Sequence, residues 1–301
     1  MDLLITGGTV FVSRYVSQFF ADRGNNVYVM NRGNMPQLAN VTPIIADRHF
    51  LGQSLKPYRF DAVIDITAYN REDVNDLLNG LGAYGEYILI SSSAVYPENT
   101  PLPFSENSPA GFNKIWGSYG TGKIEAEQVL LSRFPDAYII RPPYICGPMN
   151  NIYREAFVFE CAEQNRPFYL PENGGLKLQF FHIGDLCRFI DTLISCKPQN
   201  HIFNAGYPEP VSASDWATMC YKSVGKNPIF RYVSKKHPQR SYFPFYDYEY
   251  LLDVSEMLKL MNDLTPLQDS LNSSYEYFRN NRELIVRKPL FDYIEENFER
   301  N

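Results

Sequence analysis

The chain of 301 residues has only four histidines and five cysteines, and neither set falls at a metal-chelating spacing. Cys146, Cys161, Cys187, Cys196 and Cys220 are odd in number and contain no CxxC pair. That excludes a disulfide framework or a zinc ribbon and points to reduced thiols in a cytoplasmic protein, with no metal expected. Basic charge is also scarce. Lys and Arg total 28 against 34 Asp and Glu, for a net charge of −6, and the only basic pair singled out is Lys235-Lys236. No nucleic-acid partner is expected from such a balance. No apolar run approaches the ~20 residues that cross a bilayer, so no membrane partner is expected either. The opening MDLLITGG lacks the basic and long apolar regions of a secretory leader and reads as a strand. A G-x-S-x-G elbow and a Walker loop are both missing.

What is present is an alternating pattern. The composition is 45% hydrophobic and 15% aromatic, enough for a full core. Short apolar runs at 3–5, 27–30, 42–46, 62–66, 87–91 and 137–141 read as strands. Amphipathic stretches at 11–23, 71–81 and 119–133 read as helices between them. This alternation predicts an α/β fold, a doubly wound parallel sheet covered on both faces. After Pro142-Pro143 the pattern changes, with helices expected at 151–164, 185–195, 214–224, 255–261 and 267–279. Short strands are expected at 180–183, 201–204 and 229–233. The expected division is a nucleotide-binding domain over 1–150, to which 181–206 returns. A smaller substrate lobe comprises 151–180 and 207–301.

Residues 3–20 read strand, turn, helix, where a dinucleotide fingerprint belongs. Gly7, Gly8 and Thr9 let the backbone approach a pyrophosphate, and Phe11 and Val12 open the helix whose N-terminus would hold it. Against a G-x-x-G-x-x-G spacing only Gly7 fits, since Val10 and Ser13 occupy the other two positions. Asn31 and Arg32 follow the second strand. An acid there would bind the ribose diol of NAD, whereas Arg32 suits the 2′-phosphate of NADP. The cofactor expectation is NADP or NAD, with NADP favoured. Asp47, after the third strand, is placed for an adenine amine, and Asp65 reads as structural.

Tyr119 and Lys123 form a Y-x-x-x-K pair on one helix face. A neighbouring ammonium favours a phenolate, which suits such a pair for acid–base work. Tyr232 and Lys236 repeat the spacing. Position separates the two pairs, because Tyr119 opens the helix after the strand ending in Ser91-Ser92-Ser93. Ligands of open α/β sheets bind beyond such strand ends. His182, between Phe181 and Ile183, reads as a core histidine.

With these residues placed, the chain resembles the extended short-chain dehydrogenase/reductases, the NAD-dependent epimerase/dehydratase family with a Rossmann-type sheet. The resemblance rests on Thr6-Gly7-Gly8-Thr9, Phe60–Asp65, Ser91–Tyr96, Glu106, Tyr119-x-x-x-Lys123 and Arg141–Pro148, taken in order. Phe181–Leu186, Phe203–Gly206 and Leu264-Thr265-Pro266 extend it. It implies Tyr119 as acid/base, with Lys123 binding the nicotinamide ribose and lowering the Tyr119 pKa. Ser92 is implied as the catalytic serine, with Ser93 the next choice. Further cofactor contacts are implied at Thr67, Ala68, Pro142 and Tyr144, and substrate contacts at Ser93, Tyr96 and Arg154.

Two departures stand out. The turn resembles the G-G-T-x-F variant of atypical members, including the chloroplast stem-loop-binding proteins. Leu178-Gln179 replaces the R-D pair that binds a nucleotide diphosphate in many relatives. The expected function is an NAD(P)-dependent oxidoreductase, epimerase or dehydratase acting on a hydroxyl or carbonyl carbon of a sugar-like or other small substrate. A homodimer is compatible with this reading. The alternative is a non-catalytic dinucleotide-sensing or RNA-associated module.

Overall fold

A computed structural model describes residues 1–299. The chain divides into two compact units. The first comprises Met1–Ile145, Phe181–Pro208 and Tyr250–Leu264; the second comprises Cys146–Phe180, Glu209–Glu249 and the residues from Thr265 onward.

Seven strands build the sheet of the first unit: β1 (Asp2–Thr6), β2 (Asn26–Asn31), β3 (Thr42–Ile45), β4 (Arg59–Asp65), β5 (Ala83–Ile90), β6 (Tyr138–Arg141) and β7 (Ile202–Asn204). Their order is β7-β6-β5-β4-β1-β2-β3. Every neighbouring pair is parallel. The expected doubly wound sheet is therefore present. Leu3, Leu4, Ile5, Val63, Ile64, Ile88, Leu89 and Ile139 are wholly buried, as strands covered on both faces require. Leu4 pairs with Tyr28 on one side and Val63 on the other, so β1 is central. The order in which strands are added reverses between β1 and β4, and such a switch point opens a crevice beyond their carboxyl ends.

Helices flank these strands, among them α1 (Phe11–Asp22), α2 (Arg71–Gly80) and α3 (Ser118–Arg133). The Asn70 side chain caps α2 by accepting from the Asp73 N–H at 3.0 Å. No side chain caps α1, whose N-cap is Val10. Its first N–H groups are thus left for something other than a side chain.

The second unit packs the helices Glu155–Glu163, Ala213–Val224 and Leu267–Asn280 with two small two-stranded ladders. Phe168–Pro171 pairs with Phe230–Val233, and Lys177–Leu178 with Val211–Ser212. Trp216 is wholly buried, stacked on Phe180 at 5.9 Å and edge-on to Phe245 at 4.9 Å. The helix expected at 151–164 begins only at Glu155, because Ile152 makes an isolated bridge to Val286 and its N–H donates to Asn150. Among the described residues, no helix is long and apolar enough to cross a membrane.

Candidate active site

The turn after β1 is built for close approach. Gly7 and Gly8 have φ of +92° and +75°, and a Cβ on Gly7 would lie 2.8 Å from Ser13 Oγ. Phe11 opens α1 at φ +33°, a strained value for a residue bearing a side chain. Ser13, in a glycine position of the expected fingerprint, donates from its hydroxyl to the Val10 carbonyl at 3.0 Å. A serine thus fits where the spacing asked for glycine, tied back onto the helix start.

A cleft of about 390 Å³ lies beside this turn, lined among others by Gly7, Asn31, Arg32, Asp47, Arg48, Thr67 and Tyr69. Asn31 faces it, but its amide donates to the Gly7 carbonyl at 2.8 Å and its oxygen accepts from the Gly33 N–H at 2.9 Å. Its role here is to hold the turn. Asp47 accepts from the His49 N–H at 3.0 Å, shaping the short turn that follows β3. Arg32 is exposed.

Arg48 was not singled out by sequence, since nothing in its local pattern separates it from a solvated loop arginine. It is nine-tenths buried, and its NH2 donates to Asp65 Oδ1 at 2.7 Å. Its NH1 has no partner among the described residues. Asp65 also accepts from Tyr87 and Thr6, each at 2.7 Å. Burial pushes the Asp65 carboxyl up, but Arg48 and the two hydroxyls more than reverse this, leaving it below its ordinary range. The structural reading of Asp65 agrees with this network. A buried donor without a partner, a glycine cradle and an uncapped helix start together fit a dinucleotide.

Beyond β5, Ser92 accepts from the Ala94 N–H at 3.2 Å, and its hydroxyl favours the charged form of the nearby Tyr119 phenol. Tyr119 begins α3 with 40% of its surface exposed. Lys123, one turn later, is 2% exposed and donates to the carbonyls of Ala68 at 2.7 Å and Ile90 at 2.8 Å. The structure thus brings Ser92, Tyr119 and Lys123 together with Thr67-Ala68. Burial lowers the Lys123 pKa to about 8, partly countered by Asp65 and Glu127. The Tyr119 pKa is raised: desolvation pushes it up, and the nearby Ser92 hydroxyl only partly offsets this.

A buried chain of polar groups supports the strand ends. Ser91 donates to Glu127 at 2.5 Å, and Arg141 grips the same carboxylate through Nε at 3.0 Å and NH2 at 2.5 Å. Arg141 NH1 donates to the Tyr96 hydroxyl at 2.8 Å, which donates to Asn204 at 2.8 Å. Tyr96 and Ser93, expected to touch substrate, are both buried. Tyr96 is 0% exposed with its hydroxyl engaged on both sides, and Ser93 is 3% exposed. Pro142 is buried and its carbonyl accepts from the Ser93 N–H at 3.0 Å, while half-buried Tyr144 packs edge-on to Tyr250. Arg154 lies in the second unit, 8% exposed beside Glu155. Tyr232, of the second Y-x-x-x-K pair, is 59% exposed.

Comparison with known proteins agrees with this geometry. The model of the NAD dependent epimerase/dehydratase family matches residues 3–206. The chain is 29% identical over 278 residues to the chloroplast stem-loop binding protein of 41 kDa b from Arabidopsis thaliana, covering 84% of this chain and 72% of that protein. Among solved structures, UDP-glucuronic acid 4-epimerase from Bacillus cereus, in complex with UDP-glucuronic acid and NAD, aligns with a TM-score of 0.73 at 18% identity, over 93% of this chain and 99% of that one. The NAD complex of dTDP-glucose 4,6-dehydratase from Bacillus anthracis aligns at 0.76 and 15% identity, over 95% and 98%.

Proposed function

The chain belongs to the NAD-dependent epimerase/dehydratase family, and from that premise we propose that it oxidises a hydroxyl-bearing carbon, or reduces a carbonyl carbon, of a sugar-like or other small substrate, with Tyr119 as the acid/base. The observation that carries this reading is the placement of the Tyr119 ring 6.0 Å from the buried Lys123 ammonium, which is itself tied to the Ile90 carbonyl at the end of β5, two residues before Ser92. A nicotinamide dinucleotide, when bound, supplies the hydride acceptor or donor. Gly7, Gly8, Thr9 and the start of α1 would hold its pyrophosphate, and Arg32 with Arg48 its adenosine end. Arg32 and the lack of an acid after β2 favour NADP over NAD. The relatives bound to UDP-glucuronic acid support a nucleotide-sugar substrate class.

Tyr119 exchanges a proton with the substrate oxygen, donating from the phenol when a carbonyl is reduced and accepting on the phenolate when a hydroxyl is oxidised. Ser92 stabilises the phenol oxygen as negative charge develops there. Lys123 places a cation behind both. The chloroplast relative is named for stem-loop binding, but a net charge of −6 and the intact Ser92, Tyr119 and Lys123 set favour the enzyme.

The test is turnover on a panel of nucleotide sugars with added dinucleotide. Tyr119→Phe should lower kcat roughly 10²–10⁴-fold and leave cofactor affinity nearly intact. Tyr232→Phe should change nothing. Equal losses from the two variants would overturn the assignment.

A further inference from the structure

One side chain links the cleft at the glycine turn to the acid–base pair. Tyr69 lines the cleft beside Gly7, Thr67 and Arg48. Its ring also lies 5.1 Å from Lys123 Nζ and 6.4 Å, centre to centre, from the Tyr119 ring. The Tyr69 main chain is fixed. Its N–H donates to Asp73 Oδ2 at 2.7 Å, and its carbonyl packs against Gly122 so closely that a Cβ there would come within 2.3 Å. Adjustment is therefore left to the side chain.

Tyr69 is 54% exposed where it lines the cleft. An aromatic face left in water at such a place is surface that a flat ligand buries favourably. Two of the three ammonium protons of Lys123 go to the Ala68 and Ile90 carbonyls. At 2% exposure, its remaining donor is covered, with the rings of Tyr69 and Tyr119 nearby. A ligand moving from the glycine turn to this ammonium passes the Tyr69 ring.

Resting on the dinucleotide reading above, we propose that Tyr69 is a cofactor-positioning residue whose ring packs against the nicotinamide riboside end and directs it onto Lys123. The adenosine and phosphate contacts are assigned to Gly7, Arg32 and Arg48, and the ring, which borders the same cleft, is assigned the riboside end by its approach to Lys123 and Tyr119. Removing the ring should therefore weaken one half of the ligand and spare the other.

The experiment compares NADPH with 2′,5′-ADP, which lacks the nicotinamide half, by calorimetry on wild type, Tyr69→Phe and Tyr69→Ala, with circular dichroism to confirm folding. Tyr69→Ala should weaken NADPH by about tenfold or more, in line with base–aromatic stacking, and hold 2′,5′-ADP within about twofold. Tyr69→Phe should keep the wild-type ratio, since the ring face is what acts. Equal effects on both ligands, no effect, or tighter NADPH in Tyr69→Ala would overturn the proposal while leaving the dinucleotide reading intact. A wild type that binds neither ligand would overturn that reading and this proposal with it.

Discussion

A Cβ on Gly122 would come within 2.3 Å of the Tyr69 carbonyl oxygen, so α3 meets the loop after β4 backbone to backbone. Gly120 makes the same kind of approach to the Ala94 carbonyl, at 2.5 Å. These glycines flank Thr121 between Tyr119 and Lys123, and they set how close both side chains come to the strand ends. In an unconstrained helix, Gly→Ala adds about 0.8–1.0 kcal/mol. Here the sign should reverse, with Gly122→Ala costing about 1–3 kcal/mol through overpacking. Urea unfolding measures it, and a neutral or stabilised variant would contradict the contact.

The Arg48–Asp65 pair makes a second prediction. Both are buried, so removing one leaves the other uncompensated, and Arg48→Met should destabilise by about 3–5 kcal/mol. The native pKa of Asp65 lies below its unfolded value. Its contribution is therefore present above the ordinary carboxylate range and is lost as pH falls through the native pKa. Asp65→Asn should remove this part of the acid limb in a plot of stability against pH. An unchanged limb would show that Asp65 is not ionised in the folded protein.

For Lys123 the sign is the same, in an alkaline window. Its pKa falls from an ordinary 10.5 to about 8, so between these values the unfolded chain holds a proton that the folded chain has released. This group therefore adds stability as pH rises through that window. Dinucleotide affinity should move the other way, falling as pH climbs past about 8 and the ammonium is lost. Lys123→Met should bind weakly at every pH and flatten both profiles. A wild-type affinity that is level from pH 7 to pH 9 would contradict the assigned titration.

Arg32 makes the cofactor preference testable. NADPH should bind more tightly than NADH by roughly 1–3 kcal/mol, the range of a hydrogen bond to a charged group. Arg32→Ala should erase most of that margin and leave NADH nearly unchanged. Equal binding of the two dinucleotides by wild type would make Arg32 a solvated surface residue.

The central sheet was legible in the sequence because its strands are buried on both faces and read as short apolar runs divided by helical stretches. Ser92, Tyr119 and Lys123 were legible as a set because their strand–loop–helix context, more than the spacing, distinguished them from Tyr232 and Lys236. The part that stayed hidden depends on tertiary partners. Tyr96 was expected to contact substrate, and nothing local in the sequence shows that Arg141 and Asn204 close around its hydroxyl. Arg48 looked like a loop charge until it met Asp65, 17 residues away in sequence. Strands of two to four residues in the second unit, such as Lys177–Leu178, are too short to carry a period.

The most direct test of the account is calorimetric titration of NADPH and NADH into the wild-type protein, stripped of any bound nucleotide, at fixed ionic strength. The account predicts saturable binding with one site per chain for at least one dinucleotide, and tighter binding of NADPH. Failure of both to bind would mean that Val10 and Ser13 close the pyrophosphate site, and would contradict the assignment of this chain as a working dinucleotide enzyme.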